Sequence, residues 1–373
     1  MSRFFRGIWN LITALKNALG NLIFLAIVIF ILFAIISTET VTVPDSAALV
    51  LSPSGIIVDQ KRAIDPLNDF LWGYQSGDSE TLLKDILDAI DEAREDDRIK
   101  ALVLDLEDLR GASMSKLEEI GNALDDFKQT GKPVYAFARQ YSQSQYYIAS
   151  HADRVLLKER SMPTLGGVFL TGLGSYQPFF KSAIDKLKIN FHVFKVGEFK
   201  SAIEPFTRDD MSEEAKQNTS EWLGVLWRNY ADTITSHRDI THEAFEAYTN
   251  RYDELLGQAD NDPVKVAVDH GLVDEMIKEE DWIRMMQNAV GEGETDESFR
   301  QIDFKNYLQL TRPAIPAISP AGNKIAVITA KGTILDGEQP AGDIGSESIS
   351  KLIRRAREDE SIKALVLDLE DLR

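Results

Sequence analysis

Apolar residues are distributed along the chain in three kinds of pattern. The first is a block. From Asn17 to Ser37 no side chain is charged, and the centre reads LIFLAIVIFILFAII from Leu22 to Ile36. At about 1.5 Å per residue, roughly 20 such residues span a ~30 Å hydrocarbon layer, and the block lacks the polar face of a soluble helix. It predicts a transmembrane anchor over residues 17–38, preceded by a short N-terminal stretch over 1–16. A cleaved signal peptide would have an apolar region of only about 7–15 residues, and Ile36-Ser37-Thr38 is a poor cleavage site. The second pattern is a set of short runs: ALVL at 48–51, IKALVLDL at 99–106, KPVYAFA at 132–138, RVLLK at 154–158 and NFHVFKV at 190–196. These are too short for helices and read as buried strands. The third has helical spacing, with Leu82, Leu83, Ile86, Leu87 and Ile90 on one face of residues 80–95. Longer helices are expected at about 213–236 and 241–255, with Ser212 as N-cap ahead of Glu213 and Glu214. Strands alternating with helices predict an α/β fold with a parallel sheet, right-handed crossovers and flanking helices.

The chain also resembles itself. Residues 48–59 (ALVLSPSGIIVD) align with 325–336 (IAVITAKGTILD), with Val50/Val327, Gly55/Gly332, Ile57/Ile334 and Asp59/Asp336 in step. Residues 93–110 match 356–373 at all but two positions, and the offset falls from 277 to 263. The first copy therefore carries 14 extra residues, around Arg62 to Gln75. Pro313, Pro316 and Pro320, with Ser319 and Gly322, mark a linker over 313–323. The expected organisation is a first repeat over 45–312 and the start of a second over 324–373. That second copy stops inside a core strand and its exit loop, and its last 12 residues equal 99–110 letter for letter. The expectation is a truncated second repeat, in a chain that is incomplete or misjoined at its end.

Charge and composition narrow the chemistry. Arg3, Arg6 and Lys16 are the only charges in residues 1–38, whereas residues 39–373 hold the remaining 38 basic and all 60 acidic side chains. Positive charge on the N-terminal flank keeps that end cytoplasmic and places the body outside, on the periplasmic face in a bacterium. So acidic a body repels a phosphate backbone, which argues against nucleic-acid binding. With 0 cysteines, disulfides, thiolate catalysis and iron–sulfur clusters are excluded. His242-Glu243 opens an HExxH-like string, but Glu246 stands where the second zinc ligand belongs, so no metal ligand is assigned. GLGSYQ at 172–177 is not a dinucleotide fingerprint, there is no P-loop, and no serine sits in a GxSxG elbow. No cofactor is expected.

One segment stands apart: KVGEFKSAIEPFTRDDMS, residues 195–212. It follows the NFHVF run and sets Lys200 between Phe199 and the small Ser201 and Ala202, ahead of Pro205-Phe206. A lysine serves as general base only when neutral, which requires desolvation or neighbouring positive charge. An apolar setting at a strand end would supply that, although most lysines are simply solvated.

The segment 197–212 resembles the lysine motif of the signal peptide peptidase A (protease IV) family, in its long membrane-anchored form. So do the anchor, the stretch KPVYAFARQYSQSQYYIASHADRVLL at 132–157, GLVDEMI at 271–277 and the duplication. The likeness covers essentially the whole chain after Ser37. It implies a crotonase/Clp-protease-like fold in each repeat and a serine endopeptidase with a Ser–Lys dyad split between them. Lys200 falls on the general base. The implied substrates are signal peptide remnants left in the membrane, and the implied assembly is a homo-oligomer, a tetramer. The segment that would carry the nucleophilic serine is not among these residues. The corresponding position in the first repeat is Gln143, flanked by Ser142 and Ser144, and RGAS at 110–113 stands where the family's second repeat has a glycine pair beside a serine. The chain alone is therefore expected to be catalytically incomplete. Alternatives are a non-catalytic membrane-anchored scaffold of the same fold and a crotonase-like acyl-CoA enzyme, the latter disfavoured by the acidic, outward-facing body.

Overall fold

The computed structural model describes residue 9 and residues 16–30, 42–62, 80–162, 164–197, 199–312 and 322–370. The chain divides into two units, Met1–Thr42 and Val43–Arg373. In the first, residues 16–30 are helical. Among the described residues no helix is long and apolar enough to cross a membrane. The predicted anchor runs on to residue 38, and its part beyond residue 30 lies outside the described residues, as do most of the 14-residue excess of the first repeat and the linker before residue 322.

In the second unit the apolar runs become strands in chain order: β1 (Ala47–Leu51), β2 (Gly55–Val58), β3 (Glu80–Leu82), β4 (Ile99–Leu104), β5 (Leu109–Gly111), β6 (Val134–Ala138), β7 (Gln140–Ser142), β8 (Arg154–Lys158), β9 (Gly167–Phe169), β10 (Glu275–Ile277) and β11 (Gln301–Asp303). Six of them form a sheet in the order β10-β8-β6-β4-β1-β11, with every neighbouring pair parallel. Both faces of this sheet are covered, which is why its strands read as unbroken apolar runs. Ala47, Leu49 and Leu51 alternate onto the face packed against helices Leu83–Glu95, Met114–Lys128 and Gln143–Ser150. Ala48, Ala101 and Val103 turn to the other face, where Trp282, Met286 and Val290 of helix Glu279–Val290 meet them. Trp282 stacks on Phe137, with ring centroids 4.7 Å apart. Buried tyrosines spend their hydroxyls on backbone carbonyls: Tyr141 donates to Leu156 (2.9 Å), Tyr146 to Leu272 (2.6 Å) and Tyr248 to Val168 (2.8 Å).

The internal repeat is repeated in backbone pairing. Four further strands follow, β12 (Lys324–Lys331), β13 (Ile334–Leu335), β14 (Ile344–Gly345) and β15 (Ile362–Glu370). Ala48 pairs with Ala101 where β1 meets β4, and Ile325 pairs with Ala364 where β12 meets β15, each just after a register shift. Likewise Ile57 pairs with Thr81, and Ile334 with Ile344. Gly55 and Gly332, matched in sequence, both hold the left-handed backbone, at φ of 70° and 97°. A Cβ at Gly332 would lie 2.1 Å from the Gly342 carbonyl oxygen, so only glycine fits there. The copies differ in cover: Leu102 on β4 is fully buried, while its counterpart Leu365 on β15 is 40% exposed. The copies meet through charge. Lys116 is buried between Asp59 (2.6 Å) and Glu370 (2.9 Å), a first-copy lysine bridging acids of both copies.

Two elements depart from the sequence pattern. The helix expected over 241–255 is two, His242–Asn250 and Tyr252–Gln258, broken at Arg251 where the backbone leaves helical values (φ −128°). Residues 190–196 form no strand, and among the described residues they pair with none. Alternating apolar residues stay extended only where a neighbour completes the ladder, and this run lies on the surface.

Truncating Leu102 to Ala should cost about 2–5 kcal/mol of stability in urea unfolding of this chain, whereas Leu365→Ala should cost about 1 kcal/mol or less. Equal losses would show that β15 is as well covered as β4.

Candidate active site

Lys200 lies on a surface excursion that leaves the body after β9 and returns at the 213–238 helix. Its turn is anchored at both sides. Downstream, the short helix Glu204–Thr207 begins with Glu204, whose amide donates to the Ser201 carbonyl (2.9 Å). Glu204 is a buried carboxylate, 5% exposed, and accepts two hydrogen bonds from Ser212: from the amide at 3.0 Å and from the hydroxyl at 2.6 Å. The Ser212 hydroxyl in turn accepts from the Ala215 amide (3.2 Å) and so caps helix Glu213–Arg238, the N-cap predicted from sequence. Burial pushes the Glu204 carboxyl up, but the Ser212 hydrogen bonds, with Arg208 and Lys195 nearby, outweigh it and hold it below the usual glutamate value. Upstream, Asp209 accepts from the amide (2.9 Å) and hydroxyl (2.7 Å) of Ser182, and the Phe180 amide donates to the Pro205 carbonyl (2.6 Å). Phe206 packs between Phe180 and Phe191, at centroid distances of 6.3 and 5.7 Å.

The lysine itself is exposed, and among the described residues it makes no hydrogen bond or ion pair. Among the described residues the apolar enclosure expected at a strand end is not formed, because the preceding run is not a strand and its side chains face outward. Phe194 is 98% and Val196 85% exposed, and Phe199 is also largely uncovered. Beside them opens a cleft of about 780 Å³ lined by Val193, Lys195, Gly197, Ile203, Glu204 and Ser212. Exposed apolar side chains thus stand beside a cleft whose lining is mixed apolar and polar.

Gln143, the counterpart of the nucleophile position, is the first residue of helix Gln143–Ser150, and its amide group is occupied. Its Oε1 accepts from the amides of Thr171 (3.0 Å) and Gly172 (2.8 Å), its Nε2 donates to the Gly172 carbonyl (3.2 Å), and Tyr230 donates to its backbone oxygen (2.8 Å). It pins the loop from which the lysine excursion departs. Neither Glu204 nor Gln143 stood out in sequence as a support. Glu204 is one of 60 acidic residues, and only the tertiary fold sets it against Ser212.

A second polar cluster was invisible in sequence. Asp125, His151 and His237, from three different helical elements, converge. His237 Nε2 lies 3.0 Å and His151 Nδ1 3.1 Å from Asp125 Oδ2. Burial pushes the Asp125 carboxyl up, but the two histidines prevail and hold it well below the usual carboxylate range. Burial pulls the His151 imidazole down, while the Asp125 hydrogen bond holds His237 up. His242, the residue that opened the HExxH-like string, is exposed and paired with Asp232 (2.6 Å), apart from this cluster.

Residues 126–292, which include the Lys200 excursion, match the model of Peptidase family S49. The chain is 36% identical over 371 residues to "Protease 4" of Salmonella typhi, covering 98% of this chain and 58% of that protein. It is 34% identical over 368 residues to "Protease 4" of Haemophilus influenzae, covering 96% and 58%. The chain thus spans 58% of the length of both relatives. A solved enoyl-CoA hydratase from Bacillus anthracis overlaps 56% of this chain and 65% of its own, at 12% identity and a TM-score of 0.24, too slight a likeness to carry an argument. Matched across its central residues and aligned with these relatives over nearly its whole length, the chain belongs to peptidase family S49, among the protease IV (signal peptide peptidase A) proteins.

Proposed function

We propose that this chain supplies the general base of a Ser–Lys endopeptidase, with Lys200 as that base and the serine contributed by a segment outside residues 1–373. The observation that carries the reading is the anchored turn: Glu204 and Ser212 tie the Lys200 loop to the start of a 26-residue helix while the lysine stays free at the surface. Such a loop is held in place without its own residues neutralising the amine. The uncovered Phe194, Val196 and Phe199 give the missing condition a source. Protein packed over them removes water from the lysine, which favours its neutral form.

In that setting the neutral Nζ takes the proton of the serine hydroxyl as its oxygen attacks the peptide carbonyl. Backbone N–H groups hold the oxyanion. The lysine then returns the proton to the departing amine, leaving an acyl-serine ester. Water, deprotonated by the same lysine, hydrolyses the ester and regenerates both groups. No cofactor enters. The reading extends to a fold of the crotonase/Clp-protease type in each repeat, a membrane anchor over 17–38 with the body on the periplasmic side, and cleaved signal peptides in the membrane as substrates. A homo-oligomer, a tetramer by family resemblance, would provide the cover. The chain by itself is then inactive.

In the complete native protein, Lys200→Ala should lower kcat on a signal-peptide substrate by about 10²–10⁴-fold without changing the melting temperature. Lys200→Arg should be equally impaired, because a guanidinium does not become neutral. Normal turnover in either variant defeats the general-base role, and an intact native mass no greater than residues 1–373 account for would remove the source of the serine.

Ser212→Ala should cost about 0.5–2 kcal/mol of stability through the lost cap and also reduce kcat by loosening the lysine loop. Unchanged kcat at full folding would show that the tie to Glu204 plays no part in placing Lys200.

A further inference from the structure

The Asp125, His151 and His237 cluster plays no part in the proposed mechanism, and its geometry points to a divalent metal site. We propose that these three side chains bind Zn²⁺ through Asp125 Oδ2, His151 Nδ1 and His237 Nε2, with water completing the centre. This inference is independent of the peptidase reading.

The donor set is the right chemistry: two imidazoles and a carboxylate are a borderline-soft N₂O combination that suits zinc. Spacing agrees as well. The carboxylate oxygen lies 3.1 Å from one nitrogen and 3.0 Å from the other, and the three donor atoms lie within 4.8 Å of one another. Bonds of about 2.0–2.2 Å in a tetrahedral centre separate ligand atoms by roughly 3.3 Å, so both carboxylate–nitrogen spacings lie within a few tenths of an ångström of what ligation needs.

Both rings are fixed in the orientation that ligation needs. His237 Nδ1 sits 2.8 Å from the Thr233 carbonyl, to which it donates its proton. With Nδ1 so engaged, Nε2 is the nitrogen left to face Asp125, hydrogen-bonding the carboxylate in the metal-free protein and free to ligate once an ion displaces that proton. This hydrogen bond to a carbonyl is the usual outer support of a metal-bound histidine. His151 is 3% exposed, and its Nε2 is buried with no partner, held against Gly121, where a Cβ would come within 2.4 Å. The glycine makes room for the ring, and the ring has only Nδ1 to offer. A core position that tolerates an unsatisfied imidazole nitrogen in order to present the other to Asp125 is unusual for a purely structural residue. Asp125 and His237 are partly exposed, which leaves a route for the ion and a place for its water.

Asp125 lies in the 114–128 helix, His151 caps the 143–150 helix and His237 lies near the end of the 213–238 helix. A metal there would tie three helices of the first repeat together, at the end of the 213–238 helix opposite Ser212.

The test is a calorimetric titration of the chelator-treated, complete protein with Zn²⁺, repeated with Co²⁺ as a spectroscopic probe. One strong site per chain is expected, with visible Co²⁺ bands of a low-coordinate nitrogen–oxygen centre. Asp125→Asn and His237→Gln should each weaken binding by at least the roughly 10–100-fold that losing even an outer-shell partner costs. His242→Ala, which disrupts an exposed histidine–aspartate pair, should leave binding unchanged. Metal-free melting curves of each variant verify folding, and His151 is left intact because it is buried. Weak binding at many sites, or equal affinity in wild type and all three variants, would overturn the proposal and leave the cluster as a hydrogen-bonded network only.

Discussion

The parallel pairing of β1 with β4 is the constraint on which the rest of the molecule depends. Residues of β1 and β4 alternate between two apolar layers, so each strand is buried on both faces and has to be apolar throughout. This pairing fixes the register to which β6, β8 and β10 are added on one side and β11 on the other. The same pairing, with a register shift at the equivalent step, recurs where β12 meets β15. What recurs is the backbone arrangement. Cover is supplied separately, and in the second copy apolar side chains stay exposed that in the first are packed under helices.

The lysine excursion follows a different rule. It is held by a few polar contacts and a small aromatic cluster instead of by a sheet. Glu204 against Ser212, and Asp209 against Ser182, hold its two limbs. A buried carboxylate is tolerated at Glu204 because Ser212 satisfies it twice and the helix that Ser212 caps favours negative charge at its N-terminus. The arrangement keeps the backbone around Lys200 placed while leaving its amine and the aromatic residues beside it uncovered. That division suits a group whose final environment is completed by other protein.

The parts of the site were unequally legible. Ser212 as a helix cap was readable, because a capping residue ahead of two acids is a local signal. Lys200 was singled out only through its segment as a whole, and its expected burial did not follow, since burial depends on what lies across from a residue. Glu204 and Gln143 carry no local signal for the contacts they make, and Asp125, His151 and His237 are too far apart in sequence to suggest one another.

By itself the sequence determined the features that depend on neighbours within a few residues: apolar runs that become strands, helical faces, caps, the glycine at each repeated turn and the repeat itself. These are set by local backbone preference and by the period with which side chains alternate. Tertiary structure alone decided which runs find partners. RVLLK joins the sheet between β6 and β10, whereas NFHVFKV, equally apolar, has no adjacent strand among the described residues and stays on the surface. It also decided where a helix breaks and which distant charges meet. Hydrogen-bond ladders and buried ion clusters need two surfaces brought together, and no local pattern of residues contains the second surface.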